Sequence, residues 1–170
     1  MKSRLLFFIP LIGLLLTSCA GYRIGATKPK HLEKIVTLAV PTFDNQTLEP
    51  RLAVLATNAV IKQLQADGTY QIAAKDRADA VLECTIKNIN RSQFRPVRNN
   101  VLRTSELRVE LQADYKVKEA GTDAVIHTGR VFGASTIILD PNFQLSEHQA
   151  MEVAVVRLAS LLVTEISEGW

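Results

Sequence analysis

The clearest periodicity in the chain lies in residues 107–118. Leu107, Val109, Leu111, Ala113, Tyr115 and Val117 alternate without a break with Arg108, Glu110, Gln112, Asp114, Lys116 and Lys118. A period of two over that length predicts a long strand with one dry face and one wet face. A shorter alternation of Leu82, Cys84 and Ile86 with Glu83, Thr85 and Lys87 predicts a second strand. Ala120-Gly121-Thr122-Asp123 is turn chemistry and predicts a hairpin into a further strand over residues 124–137, where Gly129 and Gly133 mark a bulge or bend. Upstream, residues 35–40 form a β-rich apolar run stopped by Pro41, which predicts a buried strand, and residues 42–47 read as a polar turn. Residues 70–73 are a shorter, weaker strand candidate.

Two segments switch to the helical period. Leu52, Leu55, Ala56, Ala59, Val60 and Leu64 mark one apolar stripe, with Thr47 as its expected cap, Glu49 and Pro50 in its first turn, and Asp67-Gly68 as its stop. Ala53, Ala56 and Ala59 give this helix a small-residue face suited to close approach to a sheet. Near the C-terminus, Met151, Val155, Leu158, Leu162 and Ile166 mark a second stripe, and Ser146 with Gln149 reads as a capping box. The order β-α-β-β-β-β-α predicts an α+β two-layer sandwich. Its two helices pack on one face of a mostly antiparallel four-stranded sheet, five-stranded if residues 70–73 are counted.

A different hydropathy pattern opens the chain. Lys2 and Arg4 precede an uncharged apolar run over residues 5–16, which ends in Leu16-Thr17-Ser18-Cys19. This is the layout of a bacterial lipoprotein signal: a positive n-region, an h-region, small residues for the peptidase, and the cysteine to be lipidated. A transmembrane helix needs about 20 apolar residues, more than this run supplies. An ordinary secretory signal has no use for a cysteine at that position. Residues 1–18 are therefore read as a lipoprotein signal peptide, and residues 19–34, with their glycines, proline and lysines, as the lipidated N-terminus and tether. Residues 35–170 are read as a single α+β domain. Cys19 would carry a diacylglyceryl thioether and a further fatty acyl chain such as palmitate, enough buried methylenes for stable anchoring.

Charge and chemistry narrow the function. Cleavage removes Lys2 and Arg4 from a formal net charge of +3, so the mature chain is close to neutral and bulk charge excludes a nucleic-acid binder. With Cys19 lipidated, Cys84 has no disulfide partner and is expected to be a small buried hydrophobe. His31, His127 and His148 show no metal-ligand spacing, and no nucleophile elbow, phosphate-binding loop or CxxC motif is present. The expectation is a protein without enzymatic activity, cofactor or metal. One concentration of charge stands out between the strands predicted at residues 82–87 and 107–118: Arg91, Arg95, Arg98 and Arg103, with no acidic residue before Glu106. Guanidinium groups pair bidentately with phosphates and carboxylates, so this segment can contact an anionic lipid or an acidic partner. The alternative is a solvated hairpin loop whose charges guard a sheet edge.

Three segments carry a family resemblance. Cys19-Ala20-Gly21-Tyr22-Arg23, then Val40-Pro41-Thr42-Phe43-Asp44-Asn45-Gln46-Thr47-Leu48-Glu49-Pro50 ahead of a helix, then Arg77-Ala78-Asp79-Ala80-Val81-Leu82 entering a strand, together resemble the lipopolysaccharide-assembly lipoproteins of the LptE family. The resemblance implies a non-enzymatic outer-membrane lipoprotein, lipid-anchored on the periplasmic face. It would plug the lumen of the translocon β-barrel LptD, with lipopolysaccharide as a further partner. Ala20, in place of aspartate after the cysteine, is similar to the sorting pattern of outer-membrane lipoproteins. Lipoproteins that activate a peptidoglycan synthase or assemble a secretion channel also begin with a lipobox and a similar turn. Here, however, the tether has fewer than twenty residues at ~3.5 Å each at most, too little to cross to the cell wall.

Overall fold

The computed structural model describes residues 28–97, 100–138 and 143–169, with side chains described outside residues 93–105 and 143–146. The elements are β1 (Thr37–Ala39), β2 (Asp44–Asn45), α1 (Leu52–Asp67), β3 (Gln71–Ile72), β4 (Ala80–Val97), β5 (Asn100–Glu119), β6 (Val125–Ile138) and α2 (Phe143–Glu168).

The α+β class and the two-helix layer agree with the pattern, but the sheet does not. It has six strands in the order β3-β1-β4-β5-β6, with β2 also on β4, and it is mixed. β1 lies parallel to both β3 and β4, and β2 lies parallel to β4 at Thr85 and Ile86. The expected mostly antiparallel four- or five-stranded sheet is thus corrected: only β4-β5-β6 is an antiparallel meander. The segment read as a polar turn supplies the extra strand β2.

The meander follows its alternation residue by residue. Leu107, Val109, Leu111, Ala113, Tyr115 and Val117 are all buried, while none of the six intervening side chains is. Leu82, Cys84 and Ile86 add to the same dry face from β4. They meet Ala154, Val155, Leu158, Leu162 and Ile166 of α2, and Leu52, Ala56, Val60 and Leu64 of α1, in one cluster. α1 packs chiefly on α2 and, in the sheet, lies nearest β2 and β3, so it makes a helix-helix contact beside the expected helix-sheet one.

Several local expectations resolve differently. α1 starts at Leu52 with Arg51 before it and no side-chain cap. Thr47 instead receives a hydrogen bond from the Glu49 N–H (3.2 Å) and is itself tied to the Asn45 carboxamide, so it closes the turn ahead of the helix. The stop is as read: Gly68 takes φ 76° and its N–H reaches Leu64 O at 2.9 Å. α2 begins at Phe143, which places Ser146 inside the helix and not at its cap.

Gly129 and Gly133 mark no register shift in the β5–β6 ladder; its irregularity falls at Val117/Lys118. They are points of close approach. A Cβ on Gly129 would stand 2.5 Å from Cε1 of Tyr115, its cross-strand partner, and one on Gly133 would stand 2.1 Å from the Ala154 carbonyl oxygen of α2. The absent side chains let an aromatic ring lie across the strand and a helix backbone settle onto the sheet.

Candidate interaction surface

The face of the meander away from the helices is built by the wet half of the alternation. Thr85, Asp114 and Arg130 form one cross-strand row, Asn88, Gln112 and Phe132 the next, and Asn90, Glu110 and Ala134 the third. Cross-strand partners are side by side, so opposite charges pair directly. Arg130 Nε donates to Asp114 Oδ1 at 2.6 Å and Lys118 Nζ to Glu83 Oε2 at 2.7 Å, while Arg108 Nη2 reaches Glu110 Oε2 at 3.3 Å along its own strand. The Arg130 hydrogen bond holds the Asp114 carboxyl below its usual range. Among the described residues no helix or loop covers this face. It offers amides, hydroxyls, ion pairs and the exposed Lys116, with Phe132 and Ile138 as exposed apolar side chains.

Arg91, Arg95 and Arg103 lie on strands and not in a loop. Arg91 and Arg95 lie in β4, paired with Val109 and Glu106 of β5, and Arg103 lies in β5 where the register jumps from Pro96↔Thr104 to a last pair, Val97↔Asn100. Three register shifts between Gln93 and Val97 twist the tip, but the backbone is a continued ladder. The loop reading fails because strand pairing persists past the alternating segment, beyond the reach of a side-chain pattern. Arg98 lies outside the described residues, as do the side chains of Arg95 and Arg103.

Arg91 is placed firmly, and it is occupied. It stands opposite buried Val109, on the helix side of the sheet. Its Nη2 donates to Glu49 Oε1 at 2.7 Å, and its Nε pairs with Glu147 Oε1. One guanidinium thus ties the approach to α1 and the first turns of α2 to β4. Nothing in the sequence marks this triad, because the partners lie 42 and 56 residues away.

The histidines also separate. His148 borders a small cleft of about 70 Å³ between the starts of the two helices. His31 and His127 come together, with ring centroids 4.8 Å apart, and the Tyr115 hydroxyl lies 3.0 Å from His127 Nε2. Partial burial and the neighbouring His31 hold the His127 pKa below its ordinary value, against the opposing pull of Glu165. Among the described residues no group of three or more metal-ligating side chains is gathered. Cys84 is buried, and burial pushes its thiol up to about 12, so it is an unreactive core residue.

The chain enters the fold beside this histidine pair. Lys28 Nζ donates to Ile35 O at 2.7 Å and lies 4.6 Å from the centre of the Tyr70 ring. Pro29 rests against Gly169 after α2. The N-terminal entry and the β4–β5 hairpin tip therefore occupy opposite ends of β5, roughly 50 Å apart at ~3.3 Å per residue from Tyr115 to Asn100. Cys19 precedes the described residues. Among those residues no helix is long and apolar enough to cross a membrane.

A family model for LptE, described as lipopolysaccharide assembly, matches residues 35–167. The chain belongs to the LptE family. No curated protein sequence matches it significantly. Solved structures share its fold. Protein XCC0632 from Xanthomonas campestris aligns with a TM-score of 0.55 at 12% identity, covering 76% of this chain and 84% of the other. A PelC dodecamer subunit from Paraburkholderia phytofirmans aligns with 0.53 at 13%, covering 78% and 89%. A minor lipoprotein from Acinetobacter baumannii aligns with 0.51 at 14%, covering 77% and 90%. At such identities the likeness is one of architecture alone. The resemblance to the LptE family read from the sequence agrees with the family match over residues 35–167.

Proposed function

We propose that this chain is an outer-membrane lipoprotein, anchored through acylated Cys19, that seats in the lumen of the translocon β-barrel LptD and assists lipopolysaccharide assembly without enzymatic activity. Membership of the LptE family gives the reading its frame. The observation that carries it is the uncovered face of the meander. Barrel interiors are polar and wet, and a surface of amides, hydroxyls and mostly paired charges can lie against such a wall with little burial of uncompensated charge.

The long axis of the molecule supports the same reading. From Cys19 to Lys28 the chain spans about 30 Å at most, so the entry end stays near the anchoring leaflet. The hairpin tip, roughly 50 Å further along β5, extends beyond the ~25 Å apolar band of a barrel. Arg95 and Arg103, on the strands that lead to the tip, are then remote from the headgroups that surround the anchor. Glu106 of β5 stands opposite Arg95 in the ladder, and the further phosphate or carboxylate contacts proposed for these arginines are on the barrel or on the lipopolysaccharide passing through it. Arg91 belongs to the frame that holds the arm and not to the contact.

Affinity capture from detergent-solubilised envelopes tests the proposal. The expected result is a large β-barrel at near one-to-one ratio, with Cys19 found acylated at the mature amino terminus by mass spectrometry. Reversing Arg95, Arg98 and Arg103 together to Glu should weaken barrel or lipopolysaccharide binding while the thermal melt stays unchanged. Capture of no barrel, or an unmodified Cys19, overturns the reading.

A further inference from the structure

The two edges of the sheet are built differently. One is closed by β1, β2 and β3, strands of two or three residues, a form that discourages strand addition. The other is β6, which runs for 14 residues. Its only charged side chain, Arg130, is already held by Asp114 at 2.6 Å. Among the described residues nothing pairs with its outer side.

Main-chain hydrogen bonds show which residues of β6 face outward. The Gln46 N–H reaches Ile86 O at 2.9 Å from the β2 side, so Ile86 turns its backbone away from β5. Ala113, opposite Ile86, then turns toward β6 and bonds Val131. The even-numbered residues from Thr128 onward therefore direct their N–H and C=O groups outward. Arg157 Nη1 of α2 agrees, since it donates to Ala134 O at 2.7 Å. The side chains of these residues stand on the uncovered face, where Phe132 is 46% exposed. On α2, the exposed Val153 and Leu161 flank Arg157 at four-residue spacing and so overhang the same edge.

We infer that this edge is a homodimerisation site, at which β6 of a second copy adds antiparallel about a two-fold axis through Phe132. An extended strand is the occupant because alternating backbone donors and acceptors are what the edge offers. Self-complementarity selects a second copy. The register places Phe132 opposite its own counterpart, Thr128 opposite Thr136 and Arg130 opposite Ala134, so aromatic and threonine pairs form and no like charges meet. Arg157 is then a removable guard: for the strands to join, Ala134 O exchanges its guanidinium donor for the N–H of Arg130 from the second copy. The inference does not depend on the barrel reading. It describes the chain before a larger partner captures it.

Cross-linking of the full chain in mild detergent tests the register. Thr128→Cys and Thr136→Cys together, treated with a short thiol-to-thiol reagent, should give a covalent dimer, whereas neither single variant should exceed the wild-type background. Buried Cys84 stays silent. Arg157→Ala should raise the dimer yield several-fold, and Phe132→Lys should lower it at least tenfold with an unchanged thermal melt. Because Arg157→Ala removes a restraint on the edge, it keeps the test decisive even where Phe132→Lys misfolds. Equal cross-linking of the single variants, or a monomer at tens of micromolar with no response to Arg157→Ala, overturns the inference.

Discussion

The β4-β5-β6 meander and the β1-β2-β3 flank belong to one sheet but are held by different means. The meander is long, local and antiparallel, and its side chains alternate between a dry face and a wet one. The flank consists of two- and three-residue strands laid parallel, with partners more than thirty positions away in the chain: Thr37 beside Gln71, Leu38 beside Ala80, Asp44 beside Thr85. Strands that short cannot hold by ladder bonds alone, and a side chain completes them. The Asp79 carboxylate accepts the N–H groups of Val36 (2.9 Å) and Thr37 (2.8 Å), while the Asp79 N–H donates to Thr37 Oγ1 at 2.9 Å. The difference teaches that a repeated alternation fixes the meander, whereas the flank, although Leu38 and Phe43 are buried too, relies on specific polar contacts to fix its short strands.

Substitutions can break that contrast. Leu111, 1% exposed in the centre of the meander, should give the largest loss: Leu111→Ala is expected to cost about 2–5 kcal/mol in denaturant melts. Gly133→Ala comes next. Its Cβ would meet backbone, the Ala154 carbonyl at 2.1 Å, so α2 must shift, and overpacking of this kind costs about 1–3 kcal/mol. Gly129→Ala meets the ring of Tyr115 at 2.5 Å, a side chain that is buried and bonded to His127, so a loss of about 1–3 kcal/mol is expected there as well.

At the edge of the flank, Gly68→Ala has open space for its Cβ but must hold φ 76°, so a loss of about 1–2 kcal/mol is expected from backbone strain alone. If Gly68→Ala proves neutral, α1 does not need its left-handed stop to deliver β3.

Asp79 sharpens the comparison through pH. Its hydrogen bonds from the backbone of Thr37 and Val36 hold its carboxyl below the ordinary carboxylate value. The folded pKa is depressed, so the stabilisation is present above the unfolded value near pH 4 and is lost as pH falls through the folded one. Asp79→Asn should therefore flatten the acid limb of the stability curve, with amide exchange at Val36 and Thr37 rising first. A variant with an unchanged acid limb would remove Asp79 as the flank's support. The smallest effect belongs to the wet face: Glu110→Ala should stay within about 0.5 kcal/mol of wild type. Losses of equal size at Leu111 and Glu110 would mean that the two faces of β5 had been assigned wrongly.

The meander, both helical stripes, the Gly68 stop and the turn at Gly121 were legible in the sequence because each depends on neighbours within a few residues. Alternation specifies a face wherever a strand is long enough to repeat it, and the family motifs, read as short strings, pointed to LptE. The parallel flank was not legible, since Thr37–Ala39 and Asp44–Asn45 are too short to show a period and gain their partners only after the chain has folded back on itself. Gly129 and Gly133 advertised a special backbone but not its kind; only Tyr115 and α2 decided that they were points of contact. Arg91 looked like one of four equivalent loop cations. The tertiary structure separated it from the others by bringing Glu49 and Glu147 to it across two helices, and ion pairs between distant segments leave no trace in local pattern. Sequence alone determined what the long periodic segments become, because propensity and burial act locally. Which segments meet was decided by packing, because it depends on where the whole chain places them.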